Sequence, residues 1–284
     1  MMNPLLLGAL LAAPVQVEAP EDVRAFVATV TSDKGGAVTG LEAEEVAILE
    51  NGVSRDLVSL AADERPITLA FIIDTSLATR SALRLNLVDA ATSFLAGLPE
   101  GSTFAIWSTG DRPTKVLDHS SDRADARRAL TRLFPQGGNT LLDAVAEASA
   151  DLNEKEGERS LVVVLTGLNP ELSHRDKWRS VDEAETKAGL FMAVRYEEGE
   201  ASFEDRQKYD HVLGTLCRQS GGRYETVLSP MAVSQALDKL LEDLKSQYRI
   251  RYVASPDRKD KDRKLEVKIA RPGVRVRIGR SKAS

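Results

Sequence analysis

The residues most suited to chemistry follow the apolar run Ile67 to Ile73, which stops abruptly at Asp74-Thr75-Ser76. A carboxylate followed by two hydroxyls reads as an ion or ligand site. A run of apolar and β-branched residues suits a central strand covered on both faces, and the end of such a strand is where open α/β sheets place their ligand crevice. Other candidates carry less. Cys217, the single cysteine, falls on the apolar stripe Val212, Leu213, Leu216, Cys217 of a helix and reads as a packed core thiol. His119, His174 and His211 stand in polar surroundings without metal-ligand spacing to one another and read as surface residues. No Ser/His/Asp arrangement, Cys-His pair or zinc spacing occurs, and Gly137-Gly138 lacks the following Lys of a phosphate-cradling loop. An enzyme is therefore not expected.

The elements that must position Asp74 alternate. Beyond the Ile67 strand, Leu83, Leu87, Ala90, Ala91, Phe94, Leu95 and Leu98 mark one face of a helix ending at Pro99 and Gly101. Strands are predicted at Thr103–Ser108, Thr114–Leu117, Ser160–Thr166, Leu190–Tyr196 and Arg223–Val227. Helices are predicted at Asp122–Leu133, from Leu141 to Leu152, and at Asp182–Ala188 and Arg206–Gln219; Leu237, Leu240, Leu241 and Leu244 mark a last one. Strands alternating with helices imply right-handed crossovers and a mostly parallel, doubly wound sheet over residues 66–245.

The flanks have a different character. Val23–Thr31 alternates as a strand, and Val46–Leu49 and Val53–Leu60 flank Glu50-Asn51-Gly52, a strong hairpin signal. Three further strands follow the last helix: Tyr248–Val253, Leu265–Ala270 and Val274–Ile278. Neither flank is large enough to fold alone, so residues 20–65 and 246–284 are expected to form one small β-sandwich with the α/β domain inserted in it. Charge agrees: Glu18 to Glu64 holds eleven acids against three bases, and Lys245 to the end holds fourteen bases against four acids. Lys264, Lys268, Arg275 and Arg277 read as the polar face of alternating strands that discourages edge pairing. The net charge of −5 gives no reason to expect a nucleic-acid partner. Residues 1–19, with an apolar core at Leu5–Ala13, read as a cleaved signal peptide, so a secreted or periplasmic location is expected; no later stretch is long enough for a membrane span.

Three segments carry a family resemblance. Gly40-Leu-Glu-Ala-Glu-Glu-Val-Ala-Ile-Leu-Glu-Asn-Gly52, Gly137-Gly-Asn-Thr-Leu-Leu-Asp-Ala144, and Ser246-Gln-Tyr-Arg-Ile-Arg-Tyr252 with Arg271-Pro-Gly-Val274 together resemble the bacterial von Willebrand factor type A-related domain proteins. The resemblance implies a metal-ion-dependent adhesion site built from three loops. The first, Asp-x-Ser-x-Ser in that family, reads Asp74-Thr75-Ser76-Leu77-Ala78, so its last hydroxyl is replaced by Ala78. Thr140 keeps the second-loop threonine, while the third-loop aspartate is replaced by Gly167. Asp74, Ser76 and Thr140 remain as vestigial ligands. Two unit charges about 4 Å apart interact by about 4 kcal/mol at an effective dielectric near 20, and a divalent ion doubles that, so losing one carboxylate should weaken metal binding by orders of magnitude. No cofactor is expected; the alternative is magnesium or manganese at a site compensated by a neighbour such as Asp111. Thr140-x-x-Asp143 also reads as a capping-box-like helix start, and Asp74 as a helix cap. The reading is a non-catalytic extracytoplasmic protein-binding, adhesion or scaffold module with a protein partner. The alternatives are a metal-dependent adhesin and a hydrolytic enzyme.

Overall fold

The computed structural model describes residues 22–155, 159–185, 189–255 and 263–279. The expected leader, residues 1–19, lies outside them, as does the predicted helix end at Ala188. The strands are β1 (Val23–Ser32), β2 (Val46–Glu50), β3 (Val53–Arg55), β4 (Leu57–Ala62), β5 (Thr68–Ile73), β6 (Thr103–Ser108), β7 (Thr114–Ser120), β8 (Ser160–Thr166), β9 (Leu190–Tyr196), β10 (Tyr224–Val227), β11 (Gln247–Val253), β12 (Leu265–Ile269) and β13 (Val274–Ile278). The helices are α1 (Arg80–Ala82), which runs through a π turn at Leu83–Leu87 into α2 (Val88–Ala96), then α3 (Arg123–Thr131), α4 (Leu141–Asn153), α5 (Lys177–Glu185), α6 (Phe203–Ser220) and α7 (Val233–Lys245).

Six strands form the central sheet in the order β10-β9-β8-β5-β6-β7, all parallel except the edge strand β7. β5 lies between β8 and β6, and its side chains alternate between two separate cores. Leu69, Phe71 and Ile73 pack against α2, α3 and α7 on one face. Ala70 and Ile72 pack against α4, α5 and α6 on the other, where Cys217 is buried and unpaired. Burial pushes the Cys217 thiol pKa up, as expected of a core thiol. This two-sided cover explains why β5 reads as an unbroken apolar run.

The flanking strands form two more sheets, β13-β1-β11-β4 and β12-β2-β3, which enclose a third core containing Phe26, Val30, Ile48, Tyr248 and Ile250. N- and C-terminal strands pair as expected: β1 with β11 and β13, and β2 with β12. The α/β domain is inserted between β4 and β11, which are neighbours; Ala62 faces Tyr248 across them. Asn51 and Gly52 close the β2–β3 hairpin with φ of 52° and 80°, the positive pair of a type I′ turn.

The predicted strand Val53–Leu60 is split at Asp56, because β3 pairs with β2 while β4 crosses to the other sheet beside β11. α5 begins at Lys177 and not Asp182, because Asp176 Oδ1 accepts the backbone N–H groups of Trp178 and Arg179 at 2.9 Å each, an N-cap. The opposite charges of the two ends meet in specific pairs. Arg263 is buried against Glu50 and reaches Asp22 at 3.1 Å, Arg271 holds Glu45 at 2.6 Å, and Arg275 holds Asp33 at 3.0 Å. Arg277 departs from its expected role on a solvated face: it bonds the buried Asp243 of α7, which also takes Arg223 at 2.6 and 2.8 Å.

At the junction stands Arg159, the residue before β8, only 7% exposed. Its guanidinium donates to Arg65 O at 3.0 Å, Leu244 O at 2.9 Å and Gln247 Oε1 at 2.7 Å, and faces Asp63 at 3.6 Å. Burial raises the Asp63 pKa, but Arg65 and Arg159 together hold it below the usual carboxylate range.

Candidate functional site

β5 delivers Asp74 to the C-terminal edge of the sheet, where it is fully buried. Its carboxylate meets five hydrogen-bond donors, four of them at Oδ2. Oδ1 accepts the Ser76 N–H at 2.9 Å. Oδ2 accepts from Asn169 Nδ2 at 2.8 Å, Thr166 Oγ1 at 3.1 Å, Asn139 Nδ2 at 3.2 Å and the Gly167 N–H at 3.2 Å. Two amides, one hydroxyl and two backbone N–H groups therefore converge on one carboxylate. The Ser76 contact is a turn two residues long, so Asp74 does not cap the helix that follows.

The loops around it are tied to each other. Leu77 N–H donates to Gly137 O at 3.0 Å and Gln136 N–H to Thr75 O at 2.8 Å, joining the first loop to the second. Leu172 N–H donates to Asn139 O at 2.7 Å, joining the second to the third. Tyr209 OH, from α6, accepts from Asn139 Nδ2 at 2.9 Å and donates to Asn169 O at 2.8 Å beneath them.

Of the expected ligands, Asp74, Ser76 and Thr140 sit at one sheet edge, each at most 5% exposed. Ser76 Oγ is buried without a partner. Thr140 Oγ1 donates to Thr109 O, so the predicted capping box does not form: Thr140 gives α4 no side-chain cap. Asp143 instead accepts the His174 N–H at 2.9 Å and the Arg175 N–H at 3.0 Å, with Arg175 Nη1 also at 3.0 Å. Ala78 is exposed. At Gly167 a Cβ would lie 2.7 Å from Tyr196 Cε2 and Cζ, so the tyrosine ring fills the space an aspartate there would need. The Asp111 carboxylate lies where a Cβ on Gly137 would stand, beside the second loop.

Divalent-cation ligation needs bare oxygen lone pairs pointing at the ion. On Asp74, four donors surround Oδ2 and one reaches Oδ1, and the Tyr196 ring fills the space beside Gly167. The set turns amide and backbone N–H groups toward Asp74 and leaves Ser76 Oγ, Asn139 Oδ1 and Asn169 Oδ1 as buried oxygens without partners.

Sequence reasoning missed Asn139, Thr166, Asn169, Glu171 and Tyr196. The signal for the two asparagines was their place, one residue before Thr140 and two after Gly167. Glu171 is 9% exposed with Oε2 unpartnered; burial above all, with the Asp74 charge adding, pushes its pKa up to about 7. His119 is also a correction: its side chain is 9% exposed, and Nε2 lies 3.0 Å from Asp151 Oδ2. Asp118, His119 and Asp151 are the one group of three such side chains, among the described residues, with ligand atoms within 4.8 Å of one another. Lys115 Nζ already stands there, 2.6 Å from Asp151 and 3.2 Å from Asp118.

The family model of the von Willebrand factor type A domain matches residues 69–169, the span from β5 through the third loop. The central domain has the von Willebrand factor type A fold. No curated protein matches the chain. Among solved structures, proximal thread matrix protein 1 from the mussel byssus, described with a zinc-occupied MIDAS motif, is similar at 16% identity and a TM-score of 0.53 over 67% of this chain. A von Willebrand factor type A protein from Catenulispora acidiphila is similar at 11% identity and a TM-score of 0.51, over 94% of this chain and 74% of that one. At these identities the likeness establishes the fold alone. This chain spans 48% of the mussel chain it matches. No helix of the described residues is long and apolar enough to cross a membrane.

Proposed function

We propose that this protein is a non-catalytic binding or scaffold module that works outside the cytoplasm and holds a protein partner at the C-terminal edge of its α/β sheet without a metal ion. The observation that carries the reading is the Asp74 carboxylate with five hydrogen-bond donors on it. In this reading Asp74, Ser76 and Thr140 are vestigial ligands: the amides of Asn139 and Asn169 hold the three loops where an ion otherwise would. The apolar stretch Leu5–Ala13 supports the extracytoplasmic placement, and the von Willebrand factor type A scaffold supports partner binding over catalysis.

A second reading, adhesion through magnesium or manganese, draws on one observation. Ser76 Oγ, Asn139 Oδ1 and Asn169 Oδ1 are buried oxygens without partners, available to a hard cation if the amides turned. Calorimetric titration of magnesium and manganese into the chain, repeated on Asp74→Ala, decides between the two. No heat of binding in either protein agrees with the metal-free module; micromolar binding lost in the variant establishes the second reading. A pull-down of the leaderless protein from its own cell envelope then tests for the partner.

A further inference from the structure

The helix that leaves the crevice carries an unusual solvent face. Leu77 and Leu85 are 52% and 74% exposed. The π turn holding Leu85 packs beside the 230–232 turn, where Met231 is 79% exposed and the preceding Leu228 is 87% exposed. Leu83 and Leu87, in the same π turn, are buried, so this widened turn keeps its anchors inside while it presents Arg84 and Leu85 to solvent. Such turns recur at functional positions. Singly scattered apolar side chains on a surface need no explanation, but exposed Leu85 and Met231 on two turns that touch, with exposed Leu77 and Leu228 close to them along the chain, mark an interaction surface. Leu77 is at that mouth, its N–H bonded to Gly137 O.

Charge identifies what the strip would meet. Arg80 and Arg84 stand on the same helix between Leu77 and Leu85, and no carboxylate among the described residues pairs with either. In a chain of net charge −5, two guanidinium groups left without partners among exposed leucines favour an anionic, partly apolar ligand over solvent alone.

We infer that this strip, from Leu77 along α1 and the π turn to Met231, docks an acidic protein segment that also carries apolar side chains. Arg80 and Arg84 take its carboxylates, and Leu85, Leu228 and Met231 take its apolar side chains. This rests on the binding-module reading and names the chemistry of its partner. The contact is peptide-sized, and its ionic part weakens as salt rises.

The probe is a displayed library of random dodecapeptides selected against the full chain, with the enriched peptides then synthesised and their binding measured by fluorescence anisotropy. Two double variants, R80E/R84E and L85S/M231S, change only exposed side chains, and each should melt as the parent does. The expected result is enrichment of peptides combining Asp or Glu with Leu or Phe, bound roughly tenfold or more weakly by each variant and more weakly at high salt. Peptides bound equally by parent and variants would overturn this surface and leave the binding-module reading standing. Selection of no peptide would overturn both. Binding to anionic phosphatidylglycerol vesicles, lost in the same variants and without peptide selection, would replace the protein segment by a lipid surface and so overturn the inference.

Discussion

Replacing Asp74 with alanine separates a hydrogen-bonded hub from an emptied ion site, because the two give opposite signs. In the hub, three donors have no other acceptor near them: the Ser76 N–H, the Gly167 N–H and Asn169 Nδ2. Asn139 Nδ2 keeps Tyr209 OH and Thr166 Oγ1, and Thr166 Oγ1 keeps Gly167 O. An orphaned buried donor costs about 1–3 kcal/mol, so three cost about 3–9 kcal/mol if water stays out. Removing a buried charge returns part of that, and water entering the gap returns more, which leaves a net loss of about 3–4 kcal/mol. For a chain of this size that lowers the melting temperature by about 6–16 °C. The assay is urea unfolding of parent and variant, each in EDTA and in excess magnesium. The hub predicts the same loss in both buffers. An ion site predicts that magnesium stabilises the parent, by about 2.7 kcal/mol at a hundredfold excess over the dissociation constant, and that the variant in EDTA is no less stable than the parent. That second pattern would refute the reasoning.

Three other substitutions follow. Gly167→Ala drives a Cβ to within 2.7 Å of the Tyr196 ring and should cost about 1–3 kcal/mol in urea unfolding, without creating magnesium binding in calorimetry. Glu171 has its pKa raised from 4.5 to about 7, so its contribution to folding is fully present below pH 4.5 and is lost as the pH rises through 7. Glu171→Gln should flatten that part of the stability profile, measured by unfolding from pH 4 to pH 9, and raise stability relative to the parent by about 3 kcal/mol on the alkaline side. Arg159→Met leaves Asp63, Leu244 O and Gln247 Oε1 short of a partner at the domain junction and should cost about 3–5 kcal/mol, read as a fall in the urea midpoint.

The sheet was legible from the chain because each parallel strand, covered on both faces, had to be a run such as Leu161-Val-Val-Val-Leu165, and each covering helix had to carry a stripe. The insertion was legible from charge: acids such as Glu45 and Glu50 and bases such as Arg263 and Arg271 lie over 200 residues apart yet form ion pairs. The split of Val53–Leu60 at Asp56 was not, since periodicity along one strand does not record which of two sheets it joins. At the site, the sequence placed Asp74 and Thr140 because strand ends and helix starts are local features. The partners of Asp74 are not local: Asn139 and Asn169 are 65 and 95 residues away, and an asparagine in a loop looks like any other turn residue until the fold brings it to a carboxylate. His119 was misjudged for a similar reason, as its neighbours Ser120 and Asp118 are polar while the surface that covers it belongs to α4.

The side-by-side exit and return of the inserted domain has a mechanical consequence. β1 and β13 are antiparallel partners with Ala28 opposite Ile278, and the start of β1 and the end of β13 therefore emerge from the same side of their sheet. Tension applied at the two ends of the described chain peels β13 from β1 one hydrogen bond at a time, then works on β1 against β11. The α/β domain is joined to the sandwich at β4 and β11 and is also tied to the loaded strand, because Arg277 of β13 bonds Asp243 of α7, so load on β13 reaches α7 as the strands part.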